Sequence, residues 1–268
     1  MFGDPHFKTL DGVSYTFNGY GEFDLLNIFN RTDDSSIMKI QCRTRRIVTG
    51  EATVFEAFAF KTPETHVQVM TSLNAEAVVI TENYAELTQF QSQKDFQWRE
   101  NGVFIRRAVP DQEIYWIIFS SGITASITFA NKILQFGLSV TINKSSIYTN
   151  GLLGTFNGNK SDDFQLPNNS YISTGSDERT IYTNFGLRWA TTDSIFQYEN
   201  GRNASSYQHP DYLPAFWNSN FTTNFTVNEF CNNQQSCIFD YIQTHEESIA
   251  RETRDVIDTI AVISMLES

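Results

Sequence analysis

Apolar and polar residues alternate in short runs along most of the chain. Residues 123–129 have an apolar side chain at every second position, and residues 134–142 repeat this pattern. A period of two is typical of a β-strand with one buried face, and turn residues separate many of the runs. Further strand-like segments are residues 37–48, 53–61, 67–70, 77–81, 103–108 and 114–120. Many short strands separated by turns predict a mainly β fold, an antiparallel β-sandwich.

The N-terminal segment continues this alternation. Residues 13–17 place Val13, Tyr15 and Phe17 on one face of a strand. Asn-Gly follows directly as a turn signal, and residues 22–29 form a second apolar run. Asn-Gly between two such runs predicts a β-hairpin.

The pattern changes after Trp189. Residues 191–214 are polar and contain Asn-Gly and His-Pro, which is typical of a linker. From Glu246 onward the apolar positions have helical spacing, which predicts a helix packed on its own domain or, alternatively, a coiled-coil partner. The apolar stripe consists of Ile249, Thr253, Val256, Ile260 and Ile263. We therefore expect a β-sandwich domain over residues 1–190, a linker, and a small α-helical C-terminal subdomain over residues 215–268.

Composition narrows the class of partner. The chain has 268 residues, of which 40% are hydrophobic, so it can fill one large β domain with a small annex. Its net charge of -12 argues against nucleic acid and against an anionic membrane surface. Calcium or a basic protein surface suits this charge better.

Cysteine usage does not indicate a disulfide-rich scaffold. The chain has three cysteines, and Cys231 and Cys237 are close enough to close a small disulfide loop. Cys42 is then left over, either as a buried free thiol or bonded outside this segment. Its place in a strand-like run favours burial.

Glycosylation sequons indicate the compartment. Seven Asn-x-Ser/Thr sequons in loop-like segments favour a secretory route. The acceptors are Asn30, Asn143, Asn159, Asn168, Asn203, Asn220 and Asn224. No signal peptide is visible, and no apolar run approaches the roughly 18 residues of a membrane span, so direct membrane insertion of this segment is not expected.

Three motifs resemble the von Willebrand factor type D (VWD) domain family. Residues 3–23, GDPHFKTLDGVSYTFNGYGEF, resemble the start of such domains. Residues 151–164, GLLGTFNGNKSDDF, resemble a Gly-Leu-x-Gly-x-x-Asn-Gly run with an acidic end. Residues 185–189, FGLRW, are similar to the last strand of the family. The resemblance implies a VWD-type sandwich and, because the first motif begins near Met1, a segment of a larger extracellular protein.

The loop at residues 157–163, NGNKSDD, carries oxygen-bearing side chains that suit a hard cation, or else forms a solvated β-turn. In the VWD family an aspartate from the first strand completes a calcium site with this loop. The resemblance therefore implies calcium as the cofactor, with Asp11 in that role. The other implied ligands are the side chains of Asn157, Asp162 and Asp163 and the carbonyl of Lys160. Thr155 and Asn157 depart from the asparagine and aspartate of several relatives, which weakens the site or changes its ligand set.

The second candidate site is the Asp4–Pro5 peptide bond. The Asp4 carboxyl can attack its own peptide carbonyl, and the proline nitrogen leaves more readily than an ordinary amide. Several family members are cleaved at Gly-Asp-Pro-His in acidic secretory compartments. The resemblance thus implies Asp4 as the nucleophile and His6 as a proton donor. The fragments would stay together in the sheet. Alternatively, the motif only shapes the entry to the first strand.

Enzyme signatures are absent from the sequence. It contains no G-x-S-x-G elbow, no P-loop and no H-E-x-x-H. It also lacks any C-x-x-C for disulfide exchange. We expect a non-enzymatic extracellular or cell-surface module of a mucin-like, cell-adhesion or junction protein. Its expected partners are extracellular proteins and neighbouring modules of its parent. The alternative is a lipid- or protein-ligand-binding module of a secreted carrier.

Overall fold

Strands make up most of the first 150 residues of this computed structural model. It describes residues 1–47, 52–109, 111–199, 201–217 and 225–266, with side chains up to Thr259. The strands of the first part are β1 His6–Lys8, β2 Ser14–Thr16, β3 Glu22–Asn30, β4 Ser36–Arg46, β5 Thr53–Lys61, β6 His66–Thr71, β7 Val78–Glu82 and β8 Ala85–Glu86. They are followed by β9 Gln97–Glu100, β10 Val103–Arg107, β11 Ile114–Phe119, β12 Ile123–Ala130, β13 Ile133–Val140 and β14 Ile147–Asn150.

Twelve of these strands form one antiparallel sheet that forks at β5. One path runs β14-β3-β4-β5-β13-β12-β11-β10-β9, and the branch β6-β7-β8 leaves from β5. The fork arises because β5 pairs with β13 at Phe55 alone, whereas residues 57–61 pair with β6. The sheet curls, and the aromatic side chains of its two arms meet inside. Phe58 packs on Phe136 with ring centroids 4.8 Å apart. The prediction of a mainly antiparallel β fold is confirmed.

The predicted N-terminal hairpin is wrong, although both strands exist. β2 pairs with β1 in a separate two-stranded sheet, and β3 pairs with β4 and β14. Residues 18–21 do not form a tight turn, because Thr44 of β4 holds them. Its hydroxyl donates to the Gly19 carbonyl (2.7 Å) and accepts from the Gly21 N–H (3.0 Å).

The expected last strand at residues 185–189 is also corrected. Residues Gly186–Trp189 form a 3-10 helix, and only the next residue, Ala190, makes a β-bridge, with Phe23. Gly186 lies against the Phe17 ring so closely that a Cβ there would collide with it. Gly186–Trp189 therefore pack on the Phe17 ring instead of pairing as a strand.

The helices lie mainly at the C-terminal end. They are α1 Gln89–Ser92, α2 Glu178–Asn184, α3 Phe225–Phe230, α4 Gln235–Thr244 and α5 Glu247–Leu266. His245, in the left-handed conformation, ends α4. The helix predicted from Glu246 is confirmed, and its Ile249 and Thr253 are buried. The side chains of Ile260 and Ile263 lie outside the described residues. Ile249 packs on Val54 of β5 and Ile133 of β13, so α5 contacts the sheet.

The segment predicted as a linker, residues 191–214, lies on the sheet over much of its length. Ile195 and Phe196 are buried against Ala57 and Ala59, whose small side chains leave room for them. Its N–H groups find side-chain acceptors on β4 and β6, for example the Gln41 side-chain oxygen, which accepts from the Ile195 N–H (2.7 Å). The domain boundaries stay a prediction.

Two of the three cysteines are bonded to each other, as the sequence suggested. Cys231 and Cys237 form a disulfide that joins the end of α3 to α4. Cys42 lies in β4, is buried, and has no disulfide partner among the described residues.

Candidate functional site

Asp11 connects the N-terminal segment to the loop after β14. It follows β1, and Gly12 beside it adopts a φ of +95°, which turns the backbone away from the carboxylate. Its Oδ2 accepts three backbone hydrogen bonds, from the N–H groups of Asn157 (3.0 Å), Gly158 (2.6 Å) and Asn159 (3.0 Å). Its Oδ1 is buried and accepts no hydrogen bond from the residues that the structure describes. The Lys144 Nζ lies 4.0 Å from this oxygen. Asp11 thus fixes the loop with Oδ2, while Oδ1 has only this distant charged neighbour.

Asp162 and Asp163 lie on the other side of this loop. The Thr155 hydroxyl donates to Asp162 Oδ1 (2.8 Å), and the Asn157 side-chain amide donates to its Oδ2 (3.0 Å). Asp163 is buried, and its Oδ2 accepts from the Thr9 hydroxyl (2.6 Å). The structure therefore brings together Asp11, Asn157, Asp162 and Asp163, although they come from opposite ends of the sandwich domain.

The electrostatics of this cluster disfavour three bare carboxylates. The pKa of Asp163 is raised to about 6, chiefly by burial; the negative charges of Asp11 and Asp162 also raise it, and hydrogen bonds from Thr9 and Thr155 partly oppose the rise. A cation at this position would remove that repulsion. Lys160 places its side chain beside Gly12.

The Asp4–Pro5 bond lies in a buried segment before β1. Asp4 is fully buried, and in the described part of the chain neither of its carboxyl oxygens has a hydrogen-bond partner of good geometry. Burial raises its pKa well above the ordinary range. The nearby charges of Asp240 and Glu178 add to the effect, and the Asn18 side chain partly opposes it. The acid is thus held in its protonated form over a wider pH range than a surface aspartate.

Pro5 and His6 are fixed on the C-terminal side of this bond. The Pro5 carbonyl accepts from the Phe17 N–H (3.1 Å). The His6 ring uses both nitrogens: Nδ1 lies 2.9 Å from the Thr16 hydroxyl, and Nε2 lies 2.8 Å from Asp240 Oδ1. To act as a proton donor, His6 has to leave one of these two partners.

The comparison with protein families decides the classification. The family model of the von Willebrand factor type D domain matches residues 1–170, which include both of these sites. The chain belongs to the VWD domain family. A second model, described as a Mucin-4-like C8-3 domain, matches residues 218–261, the region of α3, α4 and α5.

Several relatives of this VWD chain are larger proteins. It is 30% identical to Mucin-4 of Homo sapiens over 96% of the chain, which is 5% of that protein. It is 26% identical to Sushi domain-containing protein 2 of Homo sapiens, with 94% of the chain and 31% of that protein aligned. Protein mesh of Bombyx mori is 24% identical over 98% of the chain and 18% of its own length. The chain therefore spans less than a third of each of these relatives.

The VWD loop fits a hard cation in the chemistry of its oxygens. Asp11 has a buried oxygen that accepts no hydrogen bond from any described residue, and Asp162 and Asp163 supply two more carboxylates nearby. Within the described ranges, however, no three His, Cys, Asp or Glu side chains already share a metal-binding geometry. Amide, hydroxyl or carbonyl oxygens would therefore have to complete the ligand set.

Sequence reasoning missed two side chains that shape these sites, Thr9 and Asp240, and noted Thr155 only as a departure from the family pattern. Thr9 and Thr155 donate to the acidic pair, and Asp240 of α4 contacts the segment around Asp4 and His6. Thr9 carries no local pattern that marks it as a donor to a carboxylate. Asp240 lies in an ordinary helical stretch, and only the fold brings it to His6.

The predicted glycosylation sites lie at the surface where the structure describes them. Asn30 is half-buried, and the exposed acceptors are Asn143, Asn159, Asn168 and Asn203. Asn159 also donates its side-chain amide to Asp162 Oδ2 (3.1 Å), so a glycan there would compete with the loop geometry. Asn220 and Asn224 lie outside the described residues.

None of the described helices combines the length and the hydropathy that crossing a bilayer requires.

Proposed function

We propose that this chain is a calcium-stabilised, non-enzymatic VWD module in the extracellular or cell-surface part of a mucin-like or cell-adhesion protein. Its relatives include a mucin and a sushi-domain protein, which supports a place among neighbouring modules of a larger chain. Its partners are those modules and other extracellular proteins. The observation that carries the calcium proposal is the closure of the loop by Asp11, with one buried oxygen that accepts no hydrogen bond from the described residues.

In this proposal Asp11 Oδ1 and the carboxylates of Asp162 and Asp163 draw together around the ion as it binds, with the Asn157 side-chain oxygen and the Lys160 carbonyl as further ligands. Calcium supplies positive charge that offsets the repulsion between three clustered acids. Asp11 Oδ2 keeps its three backbone hydrogen bonds, so the loop is held in place before the ion binds. The function of the site is to fasten the first strand to a late loop.

We also propose that the Asp4–Pro5 bond cleaves itself in mild acid and that the fragments stay associated. The fragment before the cut is held by two backbone hydrogen bonds between Phe2 and His6 and by one from the Phe136 N–H to the Met1 carbonyl (3.0 Å). The fragment after the cut is held by the β1–β2 pairing. In this mechanism Asp4 attacks, Pro5 leaves and His6 passes a proton.

The calcium proposal is tested by thermal unfolding against free calcium. A ligand that binds only the folded state adds about 2.7 kcal/mol at a concentration 100 times its Kd. For a chain of this size the expected rise in Tm is roughly 5 to 10 °C. Asp11→Asn keeps the acceptor for the loop N–H groups but removes the charge, so its Tm should rise far less.

The matched control is Asp193→Asn, because the Asp193 side chain is 90% exposed and lies away from the loop. This variant should respond to calcium like the unchanged chain. A flat response of the unchanged chain would refute the calcium proposal. An equal response of Asp11→Asn would move the ion away from Asp11.

A further inference from the structure

Asp240 touches both sides of the Asp4–Pro5 bond. It lies in α4 and is fully buried. Its Oδ2 accepts from the Asp4 N–H (3.4 Å), on the N-terminal side of the bond. Its Oδ1 lies 2.8 Å from His6 Nε2, on the C-terminal side. A single carboxylate therefore bridges the two residues that flank Pro5.

The backbone at Gly3 is shaped around this carboxylate. Gly3 has a φ of +61°, and a Cβ there would collide with Asp240 Oδ2 and with the Thr253 hydroxyl. Thr253, in α5, donates its hydroxyl to the same oxygen of Asp240. A glycine is required here because any side chain would push the segment off the acid. Two helices of the C-terminal region thus form one wall of the cleavage segment.

Asp240 also sets the charge that Asp4 experiences. Among the described residues, Asp240 of α4, Glu178 of α2 and the Asn18 amide act on the Asp4 carboxyl. His6 of β1 acts on Glu178. After burial itself, Asp240 is the largest contributor that raises the pKa of Asp4. Its negative charge helps to keep the Asp4 carboxyl protonated.

We propose that Asp240 is a positioning residue for cleavage of the Asp4–Pro5 bond, so that the C-terminal helices complete a site that the VWD sheet alone lacks. This inference rests on the proposed self-cleavage. Asp240 holds the Asp4 backbone and the His6 ring in fixed positions across the bond and does not itself react.

The reaction balances without an outside reactant other than water. An Asp4 carboxyl oxygen bonds to the Asp4 carbonyl carbon, and the bond from that carbon to the Pro5 nitrogen breaks. The nitrogen takes the electron pair and the proton released by the carboxyl, which His6 can relay. A five-membered anhydride remains on Asp4. Water then opens it to two carboxylic acids, and the net change is hydrolysis of one peptide bond.

The test uses the full chain incubated at mildly acid pH, with peptide mass spectrometry of the new N-terminus at Pro5. The unchanged chain should cleave and Asp4→Ala should not. Asp240→Asn should cleave at least about tenfold more slowly, since loss of alignment lowers intramolecular rates steeply. Asp255→Asn, which removes an exposed acid from α5, is the control and should cleave at the unchanged rate.

A pH profile separates positioning from a general loss of structure. Removing the Asp240 charge lowers the pKa of Asp4, so the midpoint of rate against pH should move down by about one unit in Asp240→Asn. If that variant does not fold, Thr253→Val takes its place and should slow cleavage by about threefold through loss of one hydrogen bond. If the unchanged chain does not cleave, the self-cleavage proposal fails. If it cleaves and the folded Asp240 or Thr253 variant matches it in rate and midpoint, only the role of Asp240 is refuted.

Discussion

Two glycines around the Asp11 loop differ in their neighbours rather than in their backbone. Gly154 has a φ of +75° and Gly158 one of +87°, both in the region that side chains rarely adopt. A Cβ on Gly154 would lie 2.7 Å from Asp163 Oδ1, whereas a Cβ on Gly158 would meet no atom of the described residues within 4 Å. Gly154 therefore gives the buried carboxylate its space, whereas Gly158 provides the turn and the N–H that donates to Asp11.

This difference predicts unequal costs for the same substitution. Gly158→Ala should lower the free energy of unfolding by about 1 kcal/mol, the cost of a left-handed alanine. Gly154→Ala should lower it by roughly 3 kcal/mol, because the new methyl group also forces a buried carboxylate to move. Urea unfolding without calcium measures both. Equal losses would mean that the Asp163 carboxylate moves aside freely and that Gly154 is not specific to the site.

At this scale, the sequence indicated the acidic residues better than their partners. Asp11, Asp162 and Asp163 could be selected because family motifs mark them, and the fold brings all three together. Their roles as ligands stay a prediction. Thr9 could not be selected, since a hydroxyl donor carries no local pattern and depends on what the fold places beside it. Thr155 was marked only as a departure from the family motif, and its role as a donor to Asp162 could not be inferred.

At the scale of elements, strands were predictable and their partners were not. The alternation of β5 and β12 is a local property, because side chains point to opposite faces at every step. Pairing depends on contacts distant in sequence. An example is the pair of hydrogen bonds between the Thr44 hydroxyl and the backbone of Gly19 and Gly21, which prevents the expected hairpin. For the same reason Gly186–Trp189, within the expected last strand, form a 3-10 helix against the Phe17 ring.

A buried ion pair between β3 and β4 fixes the segment that contains Ser194, Tyr198 and Tyr207. The Arg43 Nε donates to Glu22 Oε1 (2.9 Å), and the Arg43 guanidinium lies 3.7 Å from the centroid of the Tyr207 ring. Glu22 Oε2 accepts from the hydroxyls of Ser194 (2.8 Å) and Tyr198 (2.8 Å). The pair therefore connects the sheet to residues 194–207.

Removing one partner of this pair should be costly. Arg43→Met leaves the buried Glu22 charge uncompensated and should lower the free energy of unfolding by about 3 to 5 kcal/mol. Adding Glu22→Gln should recover part of that loss, so the double variant costs less than the sum of the single ones. Lys94→Met breaks an exposed ion pair with Asp111 and serves as the control with little expected loss. Strict additivity in urea unfolding would contradict a coupled pair.

At the scale of the whole molecule, the C-terminal helices and the N-terminal segment share one buried cluster. Asp240 and Thr253 reach Gly3, Asp4 and His6 across more than 230 residues of sequence. No periodicity could have predicted this contact, because each helix shows only an ordinary apolar stripe. The helices were predictable as helices, and what they cover was not.

Because of this shared cluster, loss of the Cys231–Cys237 disulfide should also affect the distant segment around the Asp4–Pro5 bond, residues 3–8. Replacing both cysteines by serine frees the end of α3 from α4 and should cost about 2 kcal/mol for so short a loop. Amide hydrogen exchange should then become faster in α4 and also in residues 3–8, since α4 carries the acceptor for the Asp4 N–H. The strands β11 and β12, which pair with each other and with β10 and β13, should keep their protection. Faster exchange confined to the helices would mean that the contact at Asp240 contributes too little to hold the two ends of the chain together.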